Sequence, residues 1–146
     1  MKYSLRPAVE EDFDFLYNLK VACLKDYVTE TFGWDEEYQQ RRFKDYFDPT
    51  STEIIVVNDQ DVGQISLVDL DDELFISGIY ILPPWQNQGL GAMVLGDVIS
   101  DAGQKGISVS LQVLKVNPAR RLYERLGFTV YEENETHYKM RRALGA

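Results

Sequence analysis

Three strand-like segments in a row, closed by a double proline and followed at once by a glycine-rich helix start, constrain this chain more than any other feature. Glu53 to Asn58 contains the β-branched run Ile54-Ile55-Val56-Val57, Asn58-Asp59-Gln60-Asp61 is turn chemistry, and Val62 to Val68 reads as its hairpin partner. After a polar turn at Asp69 to Asp72, a third strand spans Leu74 to Leu82. It stops at Pro83-Pro84, because proline cannot donate to a ladder. From Gly89 the apolar repeat becomes helical: Val94, Leu95, Val98, Ile99 and Ala102 share one face, which ends near Gly103 or Gly106.

The flanks follow the same grammar. Residues 2–6 read as a short strand broken by Pro7, and Glu10, Glu11 and Asp12 favour a helix start by opposing the positive end of its dipole. Phe13, Leu16, Leu19, Cys23 and Tyr27 form an apolar stripe on a helix ending near residue 28, and Thr29 to Gly33 interrupts it. Trp34 to Phe47 reads as a second helix, with Asp48-Pro49 as its stop. Downstream, Ser108 to Val113 alternates with Val109, Leu111 and Val113 on one side. Asn117-Pro118 then opens a helix as N-cap and first residue, and Gly127 closes it. Phe128 to Tyr131 and Thr136 to Met140 read as two last strands. The expected order is β-α-α-β-β-β-α-β-α-β-β, an α/β fold with a mixed central sheet flanked by helices.

Length and composition bound the class. At 146 residues, without an internal repeat or a linker, the chain reads as one undivided domain, 1–146. No apolar stretch approaches the roughly 20 residues of a membrane span, and Met1 to Pro7 lacks the apolar core of a secretory leader, so a cytoplasmic protein is expected. One cysteine, Cys23, and one histidine, His137, leave no zinc cluster, and a metal-free domain is expected. The net charge of −9 is uneven: residues 1–73 hold 18 acids against 7 bases, and residues 74–146 hold 6 against 8. Overall acidity argues against nucleic acid and anionic membrane surfaces as partners. The split suits an anionic ligand on the second half and a cationic one near the first, although acids that merely solubilise the first two helices would look the same.

The loop Gln86-Asn87-Gln88-Gly89-Leu90-Gly91 sits between a strand and a helix. Glycines allow close backbone approach, and the first amides of a helix lack internal partners, so the site favours an anion and above all phosphate. A Walker loop is excluded because no lysine occurs between Lys44 and Lys105, and a dinucleotide fingerprint would need a glycine where Val94 stands. The spacing Gln-x-x-Gly-x-Gly after Ile81-Leu82-Pro83-Pro84 resembles the acyl-CoA pyrophosphate loop of the GNAT (N-acetyltransferase) superfamily. Asn117 to Phe128 resembles that family's second signature, and Leu5-Arg6-Pro7-Ala8 with Glu11-Asp12 its first strand and helix.

The resemblance implies an enzyme that moves acetyl from acetyl-CoA, as co-substrate, to a primary amine by direct attack in a ternary complex. The acceptor would be a small cationic amine or a peptide amine, and a homodimer is possible by analogy. Amides of Gln88, Gly89, Leu90, Gly91 and Ala92 would hold the pyrophosphate, with Gln86 and Asn87 at the entrance of the loop. Backbone of Ile79, Tyr80 and Ile81 would pair with the pantetheine arm like an added strand, and an amide near Ile79 would polarise the thioester carbonyl. Asn117, besides capping, and Arg120 would contact CoA. At 100° per residue from Pro118, Ala119, Leu122, Tyr123 and Leu126 fall between about 40° and 140°, with Tyr123 at the edge of that face. A phenol with a reference pKa of about 10 stays protonated and can donate to a departing thiolate, so the resemblance makes Tyr123 the acid.

Glu73 is the nearest candidate base, although residues 74–82 hold no acid at all, which departs from family members with a glutamate inside this strand. Tyr27 and Trp34, beside Glu30 and Asp35 to Glu37, would form an acceptor rim of aromatic faces and carboxylates. His137 would be an acceptor contact from a late strand. The missing strand carboxylate also leaves open a second reading, a non-catalytic acyl-CoA-binding regulatory module.

Overall fold

A computed structural model describes residues 2–144, and no helix among them is long and apolar enough to cross a membrane. Seven strands form one sheet: β1 (Ser4–Pro7), β2 (Thr52–Val57), β3 (Gln60–Asp69), β4 (Glu73–Ile81), β5 (Ser108–Leu114), β6 (Thr129–Glu133) and β7 (His137–Arg142). Their order across the sheet is β1-β2-β3-β4-β5-β7-β6. Pair β4–β5 is parallel, whereas β1–β2, β2–β3, β5–β7 and β6–β7 are antiparallel, so the sheet is mixed as expected. The helices are α1 (Phe13–Phe32), α2 (Glu36–Tyr46), α3 (Leu90–Lys105) and α4 (Arg120–Arg125), in the expected succession.

Several boundaries differ from the sequence reading, and three of them have a clear local reason. Pro7 does not break β1 but ends it, opposite Glu53, because an edge strand tolerates a residue without an N–H. Helix α1 continues past residue 28 to Phe32. The Thr29 and Thr31 hydroxyls donate back to the carbonyls of Lys25 (2.6 Å) and Tyr27 (2.8 Å), so these β-branched residues stay inside the helix without an unpaired hydroxyl. Helix α2 starts at Glu36, not Trp34, because the Asp35 carboxylate takes the Tyr38 amide at 3.0 Å as N-cap.

By their contacts the residues fall into two compact units, the chain up to Ser66 with Gly78–Gln88, and Leu67–Ser77 with the chain from Gly89 on. In the first, Ala8, Leu16, Leu19 and Ile54 form a buried cluster, joined by Phe15, Cys23, Phe43, Phe47, Val56, Tyr80 and Leu82. Each fully buried aliphatic side chain contributes about 1.5–3 kcal/mol. Gly63 lets the end of β4 lie close: a Cβ there would overlap the Tyr80 carbonyl oxygen and come within 3.3 Å of the Ile81 Cα. At the start of α1, the Arg6 guanidinium bonds both oxygens of Asp12 (2.9 and 3.0 Å) and Asp61 (2.8 Å), holding the Asp12 carboxyl below its ordinary pKa.

In the second unit, α3 turns Leu90, Val94, Leu95, Val98 and Ala102 inward, and Val109, Leu111 and Val113 of β5 are buried with Met140 of β7. Helix α4 ends in a Schellman closure. The Gly127 N–H bonds Glu124 O at 3.0 Å, the Phe128 N–H bonds Tyr123 O at 3.0 Å, and Gly127 sits at φ 95°.

Candidate active site

The strand end that leads into the glycine loop is locked from within. The Ile81 carbonyl accepts from Gln86 Nε2 at 2.8 Å and from Cys23 Sγ at 3.1 Å, while the Leu82 N–H donates to Val62 O at 2.8 Å. Pro83–Trp85 forms a single 3₁₀ turn, and Gln88 Nε2 returns to the Pro84 carbonyl at 2.9 Å. Gln86 therefore directs its side-chain amide back to its own strand. Cys23 contributes a bond that its place in an apolar stripe gave no sign of, and burial pushes its thiol pKa up, against a nucleophilic role.

Beyond the turn the backbone reverses through two left-handed residues, Asn87 (φ 61°) and Gly89 (φ 85°). Gly89 is the N-cap of α3, and the first helical bond runs from the Met93 N–H to Gly89 O at 3.0 Å. The amides of Leu90, Gly91 and Ala92 thus precede the first intrahelical donor, as at any helix start. Leu90, 1% exposed, anchors this start in the core, and a Cβ at Gly89 would meet nothing within 4 Å. Fixed backbone donors, open space and the positive end of a 16-residue helix suit a phosphate group.

Tyr123 has the other distinctive environment. Its ring packs edge-on against Phe128 at 6.1 Å between centroids, the apolar contact of the Schellman closure, and the residue is 9% exposed. Among the described residues its hydroxyl has no hydrogen-bond partner. Burial pushes its pKa up to about 12, so it is a proton donor throughout the neutral range. Asn117 caps as expected: its Oδ1 takes the Ala119 N–H at 2.9 Å. The first turn is 3₁₀-like, with Arg121 N bonded to Pro118 O at 3.0 Å, so the α-helical pattern begins only at Arg120. Arg120 is engaged by its neighbours, with Nε 2.6 Å from Glu124 Oε1 and the guanidinium 4.8 Å from the Tyr138 ring centroid.

A family model for the acetyltransferase (GNAT) family matches residues 13–128. The chain belongs to that family, and with it to the N-acetyltransferases. It is similar to the [ribosomal protein bS18]-alanine N-acetyltransferase of Haemophilus influenzae, 29% identical over 128 residues that cover 87% of this chain and 82% of that protein. In fold it is similar to PaiA N-acetyltransferase from Thermoplasma acidophilum, solved with coenzyme A, at a TM-score of 0.80 and 17% identity over 98% of this chain and 99% of that one. The ribosomal-protein-S18-alanine N-acetyltransferase of Escherichia coli aligns at a TM-score of 0.69 and 18% identity, over 99% and 97%.

The remaining expected site residues of this acetyltransferase divide. Glu73 is the first residue of β4 and pairs with Arg141 Nε at 2.7 Å. The Glu73 carboxylate is thus already engaged by a cation. Trp34 Nε1 donates to Glu36 Oε2 at 2.6 Å, and Lys25 Nζ stands 5.5 Å from the Trp34 ring centroid. Tyr17 and Gln40 also bond Glu36, at 3.2 and 3.0 Å. Of the expected amine rim, Trp34 and Glu36 are therefore engaged by the chain's own groups. Tyr27 lies half-buried on α1. His137 opens β7 opposite Leu114, the last residue of β5, with Nδ1 2.8 Å from Thr136 Oγ1, and burial holds its pKa below the ordinary value.

Proposed function

We propose that this acetyltransferase, acting as one domain over residues 1–146, transfers acetyl from acetyl-CoA to the α-amine of a peptide or protein by direct attack in a ternary complex. The amides of Gln88 to Ala92 hold the pyrophosphate, and the Ile79–Ile81 backbone takes the pantetheine arm as an added strand. The acceptor nitrogen attacks the thioester carbonyl, the C–N bond forms and the C–S bond breaks; the departing thiolate takes the Tyr123 proton, and the proton lost from the nitrogen passes to solvent, from which Tyr123 is reprotonated. The observation that carries this reading is the hydroxyl of Tyr123, protonated on a buried ring and without a hydrogen-bond partner among the described residues. Coenzyme A in the PaiA structure supports the donor.

The acceptor class follows from what β4 lacks. Leu74 to Leu82 holds no carboxylate, and Glu73 is tied to Arg141 at the other end of the strand. With no side chain in β4 to take the proton, the reaction favours an amine already largely neutral. An α-amine has a reference pKa of about 7.7–8.0, against about 10.4 for a lysine ε-amine, so at pH 8 its neutral fraction is larger by roughly two orders of magnitude. The acceptor named for the Haemophilus influenzae relative, an alanine of a ribosomal protein, agrees with this choice. Tyr27 and His137 are the proposed acceptor contacts, and His137, held neutral, offers a hydrogen bond in place of a charge.

The test is release of free thiol from acetyl-CoA, with short peptides bearing a free N-terminus compared with N-blocked peptides that contain lysine. Turnover confined to the free N-terminus supports the reading. Equal turnover on lysine overturns the acceptor class, and silence with both, with acetyl-CoA still bound, returns the non-catalytic module.

A further inference from the structure

Two side chains far apart in sequence converge on one carbonyl. The Ile81 oxygen accepts from Gln86 Nε2 at 2.8 Å and from Cys23 Sγ at 3.1 Å, and the Gln86 amide lies 3.9 Å from the same sulfur. Ile81 is the last residue of β4, Cys23 stands on α1, and Gln86 follows the 3₁₀ turn. A carbonyl oxygen has two lone pairs, and here two donors take them. Burial keeps the Cys23 thiol protonated, so it remains a donor at neutral pH.

The direction of that carbonyl gives the two contacts their meaning. Along a strand, the N–H and C=O of one residue point to one edge and those of the next residue to the other. The Leu82 N–H meets Val62 O of β3 at 2.8 Å, and the Tyr80 carbonyl lies against Gly63 of the same strand. Ile79 and Ile81 therefore direct their backbone groups away from β3, to the edge proposed above for the pantetheine arm. An arm pairing there has the Ile79 groups and the Ile81 N–H to meet, but not the Ile81 oxygen.

We propose that Cys23 and Gln86 are positioning residues for acetyl-CoA: together they clamp the Ile81 carbonyl, fix the plane of the peptide that ends β4, and so set where the pantetheine arm stops pairing. The clamp rests on the added-strand reading of that arm. Cys23 lies outside the glycine loop, so its effect reaches the arm through Ile81.

Affinity for CoA, and for its phosphorylated ADP half without the arm, is measured by calorimetry under reducing conditions for the wild type, Cys23→Val and Cys23→Ser. Valine keeps an apolar side chain of similar size and donates nothing, whereas serine keeps a donor. Cys23→Val is expected to weaken CoA about three- to tenfold, the loss of one hydrogen bond, and to leave the ADP half within about twofold. Cys23→Ser is expected to hold CoA within about twofold of the wild type. A merely structural cysteine would move both ligands together or neither. Equal CoA affinity in wild type and Cys23→Val, a parallel loss of both ligands, or a serine that behaves like the valine overturns the clamp. Should Cys23→Val not fold, Gln86→Met, at an exposed position, removes the other donor and carries the same comparison. A wild type that binds CoA no more tightly than its ADP half overturns the added-strand reading, and the clamp with it.

Discussion

Two tyrosines sit in regions with opposite habits. On α1, the Tyr17 hydroxyl donates to Glu36, which also accepts from Trp34 and Gln40, so this phenol is satisfied within the chain. On α4, the Tyr123 hydroxyl has no such partner among the described residues, and the β4–α3 turn ends in the first amides of a helix, which precede its first internal donor. Burial raises both phenol pKa values, the nearby Glu36 charge adding to the rise at Tyr17. The shift alone therefore does not mark a site. What distinguishes Tyr123 is a protonated group left with a hydrogen bond to give.

The largest expected effect tests that distinction. Tyr123→Phe lowers kcat at least about tenfold and leaves KM for acetyl-CoA unchanged, general acid catalysis being worth about 10² to 10⁴. Tyr17→Phe in the same assay leaves kcat within about twofold. Unchanged turnover in Tyr123→Phe would remove it as the acid.

Next comes the frame beneath the turn. Gly63→Ala forces a Cβ against the Tyr80 carbonyl and costs about 1–3 kcal/mol, read as a lower urea midpoint. An unchanged midpoint would show that β4 does not need this close approach. The pH profile sharpens the contrast further. With the Tyr123 pKa at about 12, kcat/KM for a peptide acceptor rises through the α-amine pKa near 8 and stays level to about pH 10. A fall between pH 8 and 9 would mean that an acid with an ordinary or lowered pKa does the work.

Smaller effects belong to the carboxylates. The Asp12 pKa is lowered by Arg6, so its contribution to stability is complete above the unfolded value of about 3.9 and is lost as pH falls through the folded one. The stability gap between wild type and Asp12→Asn is expected at pH 7 and closes toward pH 2, in denaturant titrations at both. Glu73→Gln changes stability by less than about 1 kcal/mol, because its ion pair with Arg141 is partly solvated, and it leaves kcat intact. A large loss of kcat there would restore Glu73 as the base.

Much of the fold was legible because it rests on local rules. Alternation in Ile54 to Val57 and the helical stripe from Phe13 to Tyr27 follow from the periods of strand and helix, and the double proline and the glycines at 89, 106 and 127 mark the boundaries. The misjudged boundaries depended on partners elsewhere. Pro7 stays in its strand only because β1 is an edge, and Thr29 and Thr31 stay in α1 because their hydroxyls find carbonyls one turn back. In the site, the spacing of Gln86, Gly89 and Gly91 pointed to a phosphate loop before any coordinates, whereas the Gln86 and Cys23 bonds to Ile81 join residues that no sequence spacing relates.

By itself, then, the sequence determined the succession of elements, the anion-suited turn and the candidacy of Tyr123, since each depends on neighbours a few positions away. Only the tertiary structure decided that Glu73 is bound to Arg141, that Trp34 and Glu36 already serve each other, and that the Tyr123 hydroxyl has no partner among the described residues. Those are questions of which groups meet across tens of residues. Hydrogen bonds and ion pairs act over about 3–4 Å, a distance that chain order does not encode until the sheet has closed.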